Sequence, residues 1–285
     1  MQKTRRSSKL VSFERLSPNI TIPRNQKISR LTPHCVAGNL TAEATLGLSH
    51  FQTRNVRRGV SCTYAIGSNG RIGLGVLEGH RPWTSSSSFN DHRAITFEIA
   101  NTSAAPDWRM SDIAINAWLN LAVDICKFYG YTKANYQPKP ANITGNAQVE
   151  AWIRTWAKED EMIITLHNWY ANKACPGPYF MRQLPWLVNE ITKRLKGLPP
   201  EKFIGEGVIR KNTTTETLRP YPVRISARAL NVRQGPGTNH PIVTTLVSDT
   251  NIYNIVEEAN DFNNRKWGRL QSGLGWISLD HIIRV

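Results

Sequence analysis

A histidine and a cysteine lie eight positions apart, at His167 and Cys175, in the segment 165–178 (TLHNWYANKACPGP). Another isolated histidine, His34, lies far upstream in the segment 31–35 (LTPHC). Two imidazoles and one thiolate are three ligands suited to tetrahedral Zn²⁺, and a three-ligand site leaves a fourth position open for water. Such a site makes a hydroxide-like nucleophile near neutral pH, as amide hydrolysis requires. The residue types therefore predict a hydrolytic zinc centre.

Strand-like and helix-like segments alternate from about residue 28 to 196, and they must position these ligands. This order predicts an α/β domain with a mixed central sheet and packed helices. The individual segments are a strand at 27–32 leading to His34, a helix at 41–51 with Thr41 as N-cap, a hairpin from 61–66 and 71–77, a strand at 94–100 carrying Glu98, and helices at 111–129 and 181–195.

The two ends of the chain differ in character from this region. Residues 1–27 are polar, basic and punctuated by prolines, which predicts an extended arm lying on the domain. Residues 197–221 are rich in Pro, Gly and Thr, a composition typical of a linker. Residues 222–285 contain short β-rich runs separated by glycine turns, which predicts a small all-β barrel.

The net charge of +15 over 285 residues indicates affinity for a polyanion, either nucleic acid or the phosphate-rich polymers of Gram-positive walls. The first thirty residues alone carry eight Lys and Arg against one acid, Glu14. No apolar run approaches the ~20 residues of a membrane span. The N-terminus also lacks the apolar stretch of a secretory signal, so we expect synthesis in a cytoplasm.

Residues 28–195 resemble the zinc-dependent N-acetylmuramoyl-L-alanine amidases of the phage endolysin and peptidoglycan-recognition family. The resemblance is carried, in the family's order, by 32–35 (TPHC), 67–72 (GSNGRI), 90–99 (NDHRAITFEI) and 167–177 (HNWYANKACPG). It implies that His34, His167 and Cys175 hold Zn²⁺, and that the chain cleaves the amide between N-acetylmuramic acid and L-alanine in peptidoglycan.

Such an attack needs a base for the proton and a positive group for the developing oxyanion. The resemblance makes Glu98 the expected base, and the alternating Phe97 and Ile99 place its side chain opposite two apolar neighbours. Lys173, two residues before the cysteine ligand, is the expected oxyanion stabiliser. An ordinary strand carboxylate and a solvated loop lysine are the alternatives.

Three further residues are candidate substrate contacts. Some family members carry a tyrosine, or a His-Tyr pair, on the strand that here contains SCTY at 61–64, where the register is ambiguous. We therefore include Tyr64 as a candidate. His92 and Trp83 are candidates for the lining of the glycan or peptide groove, and structural roles are equally open for both.

The C-terminal region resembles a bacterial SH3 domain through 230–237 (LNVRQGPG), 266–270 (KWGRL) and 275–277 (GWI). Such domains bind the cell wall, and tethering one to an amidase raises the local concentration of enzyme at an insoluble polymer. The combined expectation is a phage endolysin that is made in the host cytoplasm and acts on the wall after release.

Three alternatives remain open. A host autolysin would have identical chemistry. A non-catalytic peptidoglycan receptor would share the fold, although receptors of the family typically lose the thiolate ligand that Cys175 supplies here. A basic nucleic-acid-binding protein would explain the charge, but no helix-turn-helix, RNP or zinc-finger pattern supports it.

Overall fold

The computed structural model describes residues 2–57, 59–205, 219–238, 240, 242–248, 251–261 and 265–285. They divide into two units, Met1–Phe203 and Ile204–Val285. None of the described helices is both long and apolar enough to cross a membrane.

A seven-stranded sheet forms the centre of the first unit, with strand order β1-β5-β4-β7-β3-β9-β8. All its pairings are parallel except that of β4 with β5, so the predicted mixed sheet with packed helices is confirmed. The strands of the unit are β1 Phe13–Glu14, β2 Ile20–Thr21, β3 Arg30–Cys35, β4 Tyr64–Ile66, β5 Ile72–Leu74, β6 Arg81–Pro82, β7 Ala94–Ile99, β8 Lys133–Asn135 and β9 Glu161–Ile164; the helices are α1 Ala42–Gly47, α2 Ser49–Gln52, α3 Ser88–Asp91, α4 Asp112–Phe128, α5 Gly145–Trp156 and α6 Pro178–Leu195.

Helices α4 and α6 cover one face of the sheet. The Ser111 hydroxyl caps α4 by accepting a hydrogen bond from the Ala114 N–H, which satisfies one of the free donors of the first turn. Helix α6 begins earlier than predicted because Pro178, which lacks an N–H, suits the first helical position. The Trp118 ring of α4 packs edge-on against Phe97 of the sheet and Phe180 of α6.

The two faces of the sheet have different chemistry because side chains alternate along each strand. Strands β3 and β7 are in register over Arg30–Cys35 and Ala94–Ile99. The helix-covered face carries the pairs Leu31 with Ile95 and Pro33 with Phe97; the opposite face carries Thr32 with Thr96 and His34 with Glu98. A row of polar side chains thus leads to the carboxyl ends of the central strands.

The N-terminal residues are an integral part of this unit rather than an arm lying on it. Strand β1 adds a parallel edge to β5, and β2 pairs with β6. The Arg5 guanidinium forms ion pairs with Glu78 at 3.0 Å and Asp124 at 2.7 Å. These partners are distant in sequence, which is why the composition of residues 1–27 did not indicate them.

The first unit also extends into the predicted linker. Phe203 is buried beside Trp186, and its backbone N–H and carbonyl both bond to the Asn116 side chain, at 2.8 and 2.7 Å. Any linker therefore starts beyond Phe203, and residues 206–218 lie outside the described part of the chain.

The second unit is all β, with strand order β12-β11-β15-β14-β13-β10-β16. Within the described residues its two end strands are not paired with each other, so an open sheet is seen where a closed barrel was expected. The strands are β10 Tyr221–Ile225, β11 Ala229–Arg233, β12 Ile242–Val247, β13 Tyr253–Asn260, β14 Lys266–Leu270, β15 Trp276–Ser278 and β16 Ile282–Arg284, and their core is formed by Val223, Ile225, Leu230, Val232, Ile255, Leu270 and Ile277.

Candidate metal centre

Three residues with metal-binding side chains meet at the carboxyl ends of the central strands. His34 is the fifth residue of β3, so it lies within the strand rather than after it as predicted. His167 begins a short 3-10 helix just after β9, and Cys175 follows in the loop before α6. The ligating atoms of the three side chains all lie within 4.8 Å of one another. The carboxyl edge of parallel strands is the usual place for a site in an α/β sheet.

The geometry fits a tetrahedral zinc ion. The Nδ1 atoms of His34 and His167 are 3.1 Å apart. Two Zn–N bonds of about 2.05 Å at a tetrahedral angle place their nitrogens about 3.3 Å apart. Burial lowers the pKa of His34 well below its usual range, and burial together with the Lys173 charge lowers the pKa of His167 to about 4. Both rings are therefore neutral near pH 7, the form that binds metal.

The sulfur of Cys175 is held by the neighbouring strand end. The Cys35 backbone N–H donates to Cys175 Sγ at 3.3 Å. Burial raises the pKa of the Cys175 thiol, so a thiolate here needs a compensating cation. A divalent metal would supply that charge, and the three side chains together suit Zn²⁺ better than an oxygen-seeking ion such as Mg²⁺.

A serine that the sequence did not single out contacts one of the imidazoles. Ser86 Oγ lies 3.3 Å from His167 Nε2, the ring nitrogen that faces away from His34. If Nδ1 were to bind a metal, Nε2 would carry the ring hydrogen and would donate it to this hydroxyl, which would fix the tautomer and orientation of the ring. Ser86 has a φ of 58°, a conformation that favours glycine. The only sequence signal was the run of four serines at 85–88.

The loop that carries Ser86 is held by a buried carboxylate. Asp91 accepts hydrogen bonds from the Thr84 N–H at 3.0 Å, from the Ser85 N–H at 3.2 Å and from the Ser85 hydroxyl. Burial is the largest influence on this carboxyl and raises its pKa to about 6. Asp91 therefore positions the turn without itself reaching the metal ligands.

A buried network joins β3, which carries His34, to the segment after β9 that leads to His167. The hydroxyls of Thr32 on β3 and Thr165 beyond β9 are 2.7 Å apart, and the Asn90 side-chain amide bonds to both at 3.0 Å. Arg30 forms a bidentate ion pair with the buried Glu150, at 2.6 and 2.7 Å. Its guanidinium also donates to Asn90 Oδ1 at 3.3 Å. This network fixes the spacing of the strands below the metal ligands.

Glu98 lies on the same face as the ligands. It is in register with His34 on the adjacent strand, and neighbouring strands lie about 4.8 Å apart. Burial and the nearby Cys35 thiolate charge raise the pKa of Glu98 well above its usual range.

The ammonium of Lys173 is exposed to solvent, in the turn between His167 and Cys175. Its charge is close enough to depress the pKa of His167. The structure thus brings Glu98 and Lys173 to the neighbourhood of the three ligands.

Tyr64 is not brought to the site, which corrects the expectation of a substrate contact there. Its ring is fully buried on the helix-covered face, stacked on Phe97 with centroids 6.1 Å apart. Its hydroxyl donates to Glu78 and accepts from the Ser8 N–H at 2.8 Å. Ala65, the next residue of β4, is in register with Glu98 and takes the position on the face of the ligands, so a one-residue difference in register moves a side chain to the other face.

Trp83 and His92 contact the N-terminal residues rather than the ligands. The Trp83 indole N–H donates to Thr21 Oγ1 at 3.0 Å, and His92 Nδ1 accepts from the Asn25 N–H at 3.2 Å. Burial, with the charges of Arg81 and its neighbours, lowers the pKa of His92 to about 4. In the described part of the chain both side chains have structural contacts and neither reaches the metal ligands.

Part of this chain is similar to known proteins. A sequence model of the family "N-acetylmuramoyl-L-alanine amidase" matches residues 24–178. No curated protein matches the chain. Among solved structures, it is similar to PlyL at 14% identity and a TM-score of 0.40, covering 67% of this chain and 98% of that one. It is also similar to a selenomethionine derivative of AmpD, at 16% identity and a TM-score of 0.41, covering 61% of this chain and 93% of that one. A third similar structure is the N-acetylmuramoyl-L-alanine amidase LysC from Clostridium intestinale, at 11% identity and a TM-score of 0.35, covering 62% of this chain and 97% of that one.

Proposed function

Since the chain belongs to the N-acetylmuramoyl-L-alanine amidase family, we propose that it is a zinc-dependent enzyme that cleaves the amide bond between N-acetylmuramic acid and L-alanine in peptidoglycan. The observation that carries the proposal is the convergence of His34, His167 and Cys175, with ligating atoms within 4.8 Å, on the face that also carries Glu98.

In the proposed mechanism each of these residues has a defined role. When bound, zinc supplies Lewis-acid chemistry that activates water and polarises the amide carbonyl. His34, His167 and Cys175 hold the ion, and Ser86 orients the ring of His167. Glu98 accepts a proton from the attacking water and returns it to the leaving amine of L-alanine.

Lys173 completes the site. As the carbonyl carbon becomes tetrahedral, its oxygen gains negative charge, and the ammonium of Lys173 stabilises that charge. Because Lys173 is exposed in the absence of substrate, its contribution depends on the glycopeptide excluding water from around it.

The second unit is proposed to bind the cell wall as an SH3-like domain. Its all-β sheet and the segments 230–237, 266–270 and 275–277 support this role. A wall-binding unit linked to an amidase suits an enzyme that attacks an insoluble polymer. We further propose that the protein is a phage endolysin, made in the host cytoplasm and active on the wall after release.

The test is digestion of Gram-positive peptidoglycan by the full chain, with mass spectrometry of the soluble products. We expect intact glycan strands and stem peptides with a free L-alanine amine. A chelator should abolish the products, and added Zn²⁺, but not Mg²⁺, should restore them. Cut glycan strands or cleaved cross-bridges would contradict the proposal, and binding without cleavage would favour a receptor.

A further inference from the structure

A cavity of about 1090 Å³ lies at the amino ends of β3 and β9, at the opposite edge of the sheet from the metal centre. The N-terminal segment around 23–27, the start of β3 and the end of α5 form its walls. Arg30 in this cavity and His34 in the metal centre are four residues apart on β3, which corresponds to about 13 Å along the strand. A ligand in the cavity is therefore separate from the proposed reaction site.

The lining of this cavity has a surplus of positive charge. Two acidic residues, Glu159 and Glu161, line the cavity. Glu161 forms an ion pair with Lys133, whereas Glu159 forms no ion pair with any described residue. Arg30 is neutralised by Glu150. Five further lining cations have no ion pair with any described carboxylate, and these are Arg24, Lys27, Arg93, Arg154 and Lys158.

Burial and the neighbouring positive charges destabilise the charged forms of two of these arginines, Arg24 and Arg93. Arg24 is 6% exposed, and its Nη2 is buried without a hydrogen-bond partner. Its other guanidinium nitrogens donate to the carbonyls of Glu78 and Asp91, which carry no full negative charge. Burial lowers the pKa of Arg24 to about 10, and burial with repulsion from Arg30 lowers the pKa of Arg93. A bound anion would offset these penalties.

We propose that this cavity binds a phosphate group, either free or as a repeat of a flexible phosphodiester polymer. Guanidinium groups match the oxygens of phosphate by charge-assisted, bidentate hydrogen bonds. Arg154 in the last turn of α5 and Lys158 just beyond the helix are exposed. They are placed to contact further phosphates of a polymer that extends out of the cavity. A concave site favours a single flexible strand over a stiff duplex, which needs an extended basic surface.

The test measures binding of inorganic phosphate and of poly(glycerol phosphate) to the full chain by calorimetry. The double variant R154Q/K158Q removes two exposed cations from the cavity. The control K9Q/K196Q removes the same charge from two exposed lysines outside the cavity that have no described ion pair. We expect the first variant to bind about three- to tenfold more weakly than the parent and the control to change by less than about twofold.

The outcomes separate the sources of the phosphate. Polymer binding at least about tenfold tighter per site than inorganic phosphate indicates a polymer ligand, and equal affinities indicate free phosphate. Equal losses in the two variants would mean that only net charge matters and would overturn the proposal. Absence of saturable phosphate or polymer binding would overturn it too, as would duplex DNA binding that phosphate does not displace.

Discussion

Ser86 provides a direct test of how the metal centre is held. Replacing it with alanine removes the hydroxyl that lies 3.3 Å from His167 Nε2 while keeping the β-carbon. The His167 ring then loses the acceptor that fixes its orientation. We expect weaker zinc binding with the fold retained, because Ser86 is exposed and no core contact is lost.

The expected size of the effect follows from the contact. Loss of a hydrogen bond to a metal-ligating histidine typically weakens metal binding 10- to 100-fold. The 3.3 Å separation is long compared with the usual N–H···O distance of about 2.9–3.0 Å. The lower limit therefore applies, and S86A should bind zinc about tenfold more weakly, equivalent to about 1.4 kcal/mol.

The assay is competition for zinc with a chromophoric chelator, on three variants. S86A and S86G both lack the hydroxyl, but glycine tolerates the φ of 58° and should make S86G about 1 kcal/mol more stable to urea than S86A. S88A is the control, because Ser88 is exposed in the same serine run and its hydroxyl has no hydrogen bond to any described residue.

Two results would refute this reasoning. If S86A and S88A bind zinc equally well, the hydroxyl does not support His167. If S86G binds as the parent does while S86A does not, the loop conformation matters and the hydrogen bond does not.

Three further predictions concern the residues around the centre. Arg30→Met leaves Glu150 buried without its partner, which should lower the free energy of unfolding by about 3–5 kcal/mol and the melting temperature by roughly 6–20 °C. Adding Glu150→Leu should restore most of this loss. A melting-temperature shift below about 2 °C in the single variant would contradict this. Asp91 has a folded pKa of about 6, above its ordinary 3.8, so the native state binds more protons between those values. Stability should therefore fall by about 3 kcal/mol as pH rises through this window, and urea titrations of Asp91→Asn should lose this slope; an unchanged slope would contradict the assignment. Glu98→Gln should lower the rate constant for peptidoglycan hydrolysis about 100-fold or more with zinc affinity within about threefold, and near-parent activity would exclude Glu98 as the base.

The parts of the structure that depend on local patterns could be predicted from the sequence. Helix α4 was predicted at 111–129 and spans Asp112–Phe128, because its apolar spacing and its serine cap act within a few residues. The grouping of His34, His167 and Cys175 followed from their side-chain chemistry and the family pattern. The structure brings the three together because the parallel β3 and β9 end at the same edge of the sheet.

The features that were missed depend on distant partners or on a single-residue shift. Tyr64 was a candidate contact because the strand register was ambiguous, and pairing with Phe97 directs it into the core. The role of Ser86 depends on a left-handed backbone conformation that four consecutive serines do not reveal. Arg5 looked like part of a basic arm, yet its partner Asp124 is 119 residues away.

The wide separation of the ligands along the chain has a consequence for biosynthesis. His34 and His167 are 133 residues apart, and the cysteine follows eight positions later. A ribosome-bound chain has only one of the three until nearly the whole domain has emerged, so we expect the proposed zinc ion to bind only after the central sheet is assembled. Under this proposal, metal uptake is a late maturation step, and the binding energy of the metal would stabilise the complete domain against unfolding. Cells short of zinc should accumulate a folded but more easily proteolysed precursor.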